Sequence, residues 1–362
     1  MEVDFRNIAI IGLGLIGGSI AKSLKEKGFK GKIHGIDINE DNIDQASAEG
    51  VIDQGELKQI DLLILAIPIG KYENALKSVS KHLRKDCIIT DVGSVKVKAH
   101  EIVEKTILPS QTFVGGHPMT GSEKSGFKAA KAHMFENAYY FISSRNKEAL
   151  KKIESLIDFI GAKAVVIDPG LHDRIVARTS HLPHINAVMM VNQLREKDEL
   201  LIDYVGGGFK DTTRIASGDA SIWSDILTNN ANEIIESIDE FTLSLNEFKN
   251  ALKEKNKVWI KEQLFKAKDY RNQIPKHLND NIEPEHILFV DVKDRVGMIA
   301  LATGLLAKHQ ISIKDIEIVH ARENIPGVLK LGLYSKKDQM HAKQLIESSE
   351  FGKDNPVHHR SE

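Results

Sequence analysis

Residues 8–37 constrain the architecture of this chain more than any other stretch. A β-rich run, IAII, leads into Gly12-x-Gly14-x-x-Gly17, and the glycines open a helical pattern over residues 15–27 that stops at Gly28. Ile16, Ile20, Ala21 and Leu24 fall on one face of that helix. Strand, glycine turn and helix in this order begin a Rossmann unit. The glycines allow a tight turn and a close backbone approach to a pyrophosphate, whose charge the helix N-terminus favours. A second strand, KIHGID, ends at Asp37, 25 residues after Gly12. A carboxylate there accepts hydrogen bonds from ribose hydroxyls and repels a 2′-phosphate, and no arginine follows closely, so the expected cofactor is NAD and not NADP. The predicted cofactor residues are Gly12, Gly14, Leu15, Ile16, Gly17 and Asp37, with Pro68 at the end of the strand DLLILAIP. A glycine turn used only for packing is the competing reading, and the second strand with its terminal aspartate weighs against it.

The alternation continues to about Pro169. CIITDVGS, TFVGGHP, AYYFISS and AVVIDP are further short β-rich runs bounded by Gly, Pro, Ser or Asp. Strands alternating with helices predict a largely parallel, doubly wound α/β sheet. From about residue 171 to 279 the strand signals vanish. Ile226, Ile234, Ile238, Phe241, Leu245, Phe248 and Leu252 recur at helical spacing and predict one unusually long amphipathic helix. So long a stripe needs a large apolar partner, and a homodimer would supply it. After the linker PKHLNDNIEPEH come a strand (ILFVDV), a helix (MIALATGLLAKH), two strands (ISIKDIEIV, GVLKLGLY), a helix over 340–348 and a last strand near Val357. That order is a ferredoxin-like α+β module. The expected domains are a Rossmann domain over 1–169, an all-α substrate and dimerisation domain over 170–280, and a ferredoxin-like domain over 285–362.

In a doubly wound sheet, ligands sit outside the carboxyl ends of the strands. Strand CIITDVG delivers Ser94 there, and TFVGG delivers His117 in GGHPMTGSEKSG. A neutral imidazole at that edge is suited to take a proton from a hydroxyl while hydride leaves the same carbon. The bland reading of His117 is a structural turn histidine, and its place beside Gly115, Gly116 and Ser94 counts against that. The helical region adds His172-Asp173, then Ser180-His181-Leu182-Pro183-His184, then Gly206-Gly207-Gly208-Phe209-Lys210-Asp211-Thr212-Thr213-Arg214. The triple glycine with Lys210 and Arg214 offers bare amides and two cations, a plausible carboxylate site. The alternative for Arg214 is an ion pair with Asp211. His181 and His184, three apart, lack a convincing further ligand set, so no metal is expected.

Bulk properties close off other classes. With 362 residues, 28% charged, 41% hydrophobic and a net charge of −2, the chain reads as globular and multidomain, and no basic surface for nucleic acid is expected. The single cysteine, Cys87, lies in an apolar run and reads as a buried thiol. The first residues carry acidic groups where a signal peptide places basic ones, and no apolar run approaches the roughly 18 residues of a membrane span. The expectation is a cytoplasmic protein with no membrane partner.

Taken together, GLGLIGGS, DVGSVK, FVGGHPMTGSEKSG, SHLPH and GGGFKDTTRIAS followed by Trp223 resemble the prephenate dehydrogenase family of tyrosine biosynthesis, over about residues 7–225. The C-terminal module is similar to an ACT domain, a small ligand-sensing unit. The resemblance implies NAD-dependent oxidative decarboxylation of prephenate to 4-hydroxyphenylpyruvate; for the C-terminal module the expectation is feedback inhibition by tyrosine, and the alternative is a module that only aids assembly. By the same resemblance His117 takes the proton of the 4-hydroxyl, Ser94 orients it, and Arg214 holds a substrate carboxylate. His184, His172, Lys210 and Gly207 are then expected to line the pocket, with Trp223 packed behind it. Two positions depart from the family pattern. Thr120 stands where alanine is usual, and the loop Asp294-Arg295-Val296-Gly297 lacks a proline before its glycine. The competing functions are an arogenate or dual-specificity cyclohexadienyl dehydrogenase, a dehydrogenase of the 6-phosphogluconate-like group, and a non-catalytic NAD-sensing regulator.

Overall fold

A computed structural model of the chain describes residues 3–53, 57–121, 124–197, 199–274, 286–292, 295–319, 327–349, 351 and 357–358. Ser122 and Glu123 of the GSEKSG segment, the linker 275–285 and Asp294 lie outside the described residues. The chain forms two compact units, Met1–Glu262 and Gln263–Glu362.

The first unit opens with β1 (Asn7–Ile11), α1 (Leu15–Glu26), β2 (Lys32–Ile36), α2 (Glu40–Ala48), β3 (Ile60–Leu65), α3 (Tyr72–Val79), β4 (Leu83–Asp91) and α4 (Val97–Thr106). It continues with β5 (Thr112–Pro118), β6 (Tyr139–Ser143), α5 (Lys147–Phe159) and β7 (Lys163–Val166). The sheet order is β2-β1-β3-β4-β5-β6-β7. Side chains alternate across it: Ile8, Ile10, Leu62 and Ile64 enter one core with Ile20 and Leu24 of α1 and Ile153 and Leu156 of α5. Ala9, Ile11, Leu63 and Leu65 enter the other with Leu76 of α3 and Val103 of α4. This two-sided burial is why the strands read as continuous apolar runs. The β5–β6 pair alone is antiparallel, and β7 pairs parallel with β6, so β6 and β7 both run opposite to β1–β5. The β5–β6 connection carries short 3₁₀ turns and no crossover helix among the described residues, so the chain returns antiparallel.

Helices follow: α6 (Pro169–Val176), a π-helical turn at Ala177–His181, α7 (Leu182–Lys197), α8 (Gly207–Thr213), α9 (Ala220–Asn229), α10 (Ala231–Lys253) and α11 (Lys257–Gln273). Asp168 caps α6 through the amide of Leu171, and Pro169 occupies the first turn, where its missing N–H costs nothing. The π turn ends two residues before Pro183, which has no N–H to donate to the preceding turn. The one long helix expected over Ile226 to Leu252 is instead two. Asn230 leaves helical geometry at φ −118°, ψ 25°, and its side-chain amide donates to the Asp173 carbonyl at 2.9 Å. That tertiary bond fixes the break. Beyond it, Ile234 is buried and Ile238 and Phe248 are half-buried, while Phe241, Leu245 and Leu252 stay 38%, 54% and 58% exposed, so three of the seven stripe residues face outward.

The second unit holds β8 (His286–Val292), α12 (Met298–Lys308), β9 (Ile313–Val319), β10 (Gly327–Leu333), α13 (Lys336–Ser348) and β11 (Val357–His358). Its strands run β11-β8-β10-β9, all antiparallel, over a core that includes Leu288, Val290, Leu306, Leu329 and Ile346. Gly297, at φ +89°, caps α12 in the left-handed region that favours glycine. The last helix begins four residues earlier than its apolar spacing suggests. Ser335 accepts from the Asp338 amide at 3.1 Å and so starts a polar first turn. Among the described residues no helix is long and apolar enough to cross a membrane.

Candidate active site

The order β2-β1-β3 puts a topological switch at β1, and the glycine turn sits at its carboxyl end. Gly12 has φ +95°, and a Cβ there would lie 2.2 Å from the Ala66 carbonyl oxygen. A Cβ on Gly17 would lie 1.9 Å from the Gly12 oxygen, whereas one on Gly14 would meet nothing within 4 Å. The first and third glycines are thus required by the protein's own packing. The second, at the N-cap of α1, leaves open the approach a pyrophosphate needs. Leu15 and Ile16 form the first turn of α1, and Pro68 starts the turn after β3. Asp37 shapes this site directly. Its Oδ2 accepts from the Leu13 amide at 2.6 Å and from Asn42 Nδ2 at 3.2 Å, and its Oδ1 accepts from the Asn39 amide at 2.8 Å. A carboxylate offers about four acceptor positions, so one on Oδ1 is left for a ribose hydroxyl. The residues fit a dinucleotide.

At the carboxyl ends of β4 and β5 lies a cavity of about 490 Å³. Ser94, His117, Thr120 and Lys124 come from the sheet side, and Ser180, His181, Arg214 and Trp223 from the helices. His117 Nδ1 lies 2.9 Å from His172 Nε2, and His172 Nδ1 lies 2.7 Å from Asp173 Oδ1. The same Oδ1 accepts from the Lys96 amide at 2.7 Å, and Oδ2 accepts from the Val97 amide at 2.9 Å. For neutral rings these contacts order the protons. Asp173 as a carboxylate only accepts, so His172 donates from Nδ1 and accepts at Nε2. His117 then donates from Nδ1, which leaves Nε2 unprotonated as the ring's basic atom. Desolvation, the adjacent His172 and the Lys96 ammonium hold His117 well below the ordinary imidazole range, which keeps it neutral.

Under His117 is a second buried group. The Lys96 ammonium bonds both Asp91 oxygens and the Gly116 carbonyl at 2.6 Å. Asp91 also accepts from the Gly116 amide at 2.8 Å, the Tyr72 hydroxyl at 2.8 Å and the Gly93 amide at 3.0 Å. Both charged side chains are 0% exposed. Glycine is needed at 115 and 116 because Cβ atoms would lie 2.7 Å from Ser143 Oγ and 2.4 Å from the Asp91 carbonyl oxygen.

Of the residues expected at the reaction site, Ser94, His117 and Arg214 share the cavity wall. Ser94 makes no direct hydrogen bond to His117 among the described residues; His172 orients the ring. His172 is fully buried behind His117, not a pocket-lining residue, because Asp173 draws it inward. Trp223 and His184 exchange the places expected for them. Trp223 lines the cavity, and His184 stacks behind it with ring centroids 3.5 Å apart and planes 9° from parallel. Gly218 makes room, since a Cβ there would meet the indole nitrogen at 2.5 Å. His181 lies edge-on to Trp223 with Nδ1 3.2 Å from Asn230 Nδ2, and burial lowers it to about 4. Gly207 and Lys210 are exposed on α8 and do not line the cavity, because the helix turns them away from the wall that Arg214 joins. Arg214 forms no ion pair with Asp211 among the described residues. Thr120 lines the cavity and donates to the Met134 carbonyl at 3.2 Å. Sequence reasoning missed Asp91, Lys96 and Asn230 altogether, although Asp91 and Lys96 bracket DVGSVK.

A dinucleotide turn at the switch point, with a cavity at the carboxyl ends of β4 and β5 that holds an oriented neutral imidazole and an arginine, defines an NAD-dependent dehydrogenase. Residues 20–167 match the family described as "Prephenate dehydrogenase, nucleotide-binding domain", and residues 168–266 match "Prephenate dehydrogenase, dimerization domain". The chain belongs to the prephenate dehydrogenase family. It is 34% identical to prephenate dehydrogenase of Bacillus subtilis, over 94% of this chain and 95% of that one. It is 33% identical to prephenate dehydrogenase of Lactococcus lactis, over 95% and 98%. The crystal structure of prephenate dehydrogenase from Aquifex aeolicus with hydroxyphenyl propionate and NAD+ superposes with a TM-score of 0.69 at 34% identity, over 76% of this chain and 100% of that one.

Proposed function

We propose that this chain oxidises prephenate to 4-hydroxyphenylpyruvate and carbon dioxide, with His117 as the base. The observation that carries the reading is the Asp173–His172–His117 chain, which leaves His117 Nε2 as an acceptor at a cavity that also holds Arg214. When bound, NAD accepts the hydride that leaves ring carbon 4. His117 Nε2 accepts the proton of the 4-hydroxyl as carbon 4 gains carbonyl character. Loss of the ring carboxylate as carbon dioxide returns the electron pair to the ring, which becomes aromatic. The phenolic oxygen then recovers its proton from His117, so no net proton is released. A base in this position is worth about 10²–10⁴-fold in rate. Arg214 binds a substrate carboxylate, each charged hydrogen bond contributing about 1.5–3 kcal/mol. Ser94 holds the substrate hydroxyl against the imidazole, and His184 stiffens the Trp223 wall. On the cofactor side, Gly12, Gly14, Leu15, Ile16, Gly17, Asp37 and Pro68 hold NAD.

Arogenate carries an amine in place of the keto group, and a dehydrogenase for it would use the same base and arginine. Prephenate is preferred because the relatives that match nearly the whole chain carry that name. A non-catalytic NAD sensor would have no use for an ordered proton relay. The boundaries 1–169, 170–280 and 285–362 divide the work into cofactor binding, substrate binding with dimerisation, and regulation. The homodimer reading rests on the exposed apolar residues of α10 and on the dimerisation family matched by this region. A monomer by light scattering would refute it. The β11-β8-β10-β9 order suits an ACT-like domain, for which we propose tyrosine as the effector, and the cytoplasm as the working compartment.

The deciding experiment follows NADH formation with prephenate, then with arogenate, with NADP in place of NAD, and with added tyrosine. Prephenate with NAD is expected to be the best pair, and His117→Asn is expected to lower kcat at least about a hundredfold while NAD still binds. A near-wild-type kcat would remove His117 from the mechanism, comparable rates with NADP would refute the cofactor choice, and indifference to millimolar-range tyrosine would end the feedback idea.

A further inference from the structure

We propose that Lys96 is a positioning residue that holds both ends of the Asp173–His172–His117 chain in one register. This rests on the reading of His117 as the base. At one end, the Lys96 amide donates to Asp173 Oδ1 at 2.7 Å, the oxygen that also receives His172. At the other, the Lys96 ammonium donates at 2.6 Å to the carbonyl of Gly116, the residue that carries His117 on its peptide bond. Asp91 completes the clamp by accepting the Gly116 amide at 2.8 Å, so the N–H and C=O of Gly116 are both tied to one buried ion pair. A single residue therefore spans from the anchor of the relay to the backbone of its reactive end. The lysine lies within the fold with 0% exposure and is not one of the residues that line the cavity.

Stability alone gives little reason for such a pair. Two charges withdrawn from water cost several kcal/mol each, and an apolar pair of similar volume is often as stable or more so. What an apolar pair does not supply is a directional hold on the Gly116 peptide. Displacement of a catalytic group by about 1 Å costs roughly a hundredfold in rate. The His117 ring also faces His172 of α6, His181 of the π turn and, across the cavity, Lys124, Arg214 and Asp219. Of these neighbours and the pair beneath, the Lys96 ammonium is a positive charge that opposes protonation of His117.

The test uses the full chain in two variants. Lys96→Met keeps the stem and removes the charge, but leaves Asp91 buried and uncompensated. Asp91→Asn with Lys96→Met removes both charges and restores neutrality. The positioning role predicts that the double variant, with a melting temperature near wild type, loses about a hundredfold in kcat while KM for prephenate and NADH binding change little. In Lys96→Met the acid limb of the kcat profile moves to higher pH, because the ammonium no longer disfavours imidazolium. A folded double variant with wild-type kcat would overturn the proposal, as would a loss confined to KM, or an unmoved acid limb in folded Lys96→Met. Failure of the underlying reading looks different: wild-type protein would then make no NADH from prephenate, or His117→Asn would keep its kcat.

Discussion

Replacing Asp173 by asparagine tests the relay with almost no change in shape. Asp173 accepts three hydrogen bonds, from the Lys96 amide, the Val97 amide and His172 Nδ1. An asparagine has one oxygen, so it faces either the pair at Oδ1 or the single donor at Oδ2. With its oxygen toward Val97, its NH₂ confronts His172 Nδ1, which must then accept. His172 turns to the Nε2–H tautomer, and His117 must accept at Nδ1 and carry its own proton on Nε2. The basic atom at the cavity is lost. With the oxygen toward His172 the tautomers survive, but the Val97 amide faces an NH₂ and the charge that steadies the protonated relay is gone. The charged bond is worth about 1.5–3 kcal/mol, and a comparable amount is needed to force the productive tautomer. Together these come to about 3–6 kcal/mol, or 10²–10⁴-fold in kcat at about 1.4 kcal/mol per decade. Steady-state NADH formation with saturating prephenate gives kcat, and fluorescence titration with NADH checks that the cofactor site is intact. The unpaired amide costs about 1–3 kcal/mol, so a melting temperature lower by several degrees is expected as well. A folded variant with kcat within threefold of wild type would refute the tautomer argument.

Three other perturbations follow from the geometry. Arg214→Ala is expected to raise KM for prephenate about 10–100-fold with a smaller effect on kcat, as the loss of one charged carboxylate contact requires; an unchanged KM would separate Arg214 from substrate binding. Gly17→Ala places a Cβ 1.9 Å from the Gly12 oxygen, so NADH affinity measured by fluorescence should fall at least about tenfold, and undiminished binding would contradict the packing argument for that glycine. His34, His117, His181 and His184 are all held below the ordinary imidazole value by burial. The unfolded chain therefore binds more protons than the native one below about pH 6.5, and stability is lost as pH falls from there toward the native values. His181, at about 4, contributes on the order of 3 kcal/mol of that loss. A melting temperature that stays flat between pH 6.5 and 4.5 would contradict the burial of these rings.

Local pattern made much of this protein legible in one dimension. The seven strands of the first unit contain the short apolar runs ended by Gly, Pro, Ser or Asp, although β4 begins four residues before its run, on the mostly polar segment 83–86. The glycine turn, Asp37, His117 and Arg214 are candidates for the same reason, because each lies next to a recognisable element end. The break in the long helix was hidden, since what bends Asn230 is the carbonyl of Asp173, 57 positions away. His172 looked like a pocket residue because a histidine next to an aspartate shows nothing of which way its ring points.

The sequence by itself determined the glycine turn, the order of strands and helices, and the sheet edge at which the candidate site lies. These follow from periodicities of a few residues and from the backbone freedom of glycine. Only the tertiary structure decided which atom of His117 is basic. That depends on Asp173, Lys96 and Asp91, which meet His117 through the burial of two charged groups and a chain of directional bonds between elements remote in sequence. It also put Trp223 on the cavity wall with His184 behind it, and kept Lys210 outside. Side-chain direction across a domain is set by packing, and no local spacing encodes it.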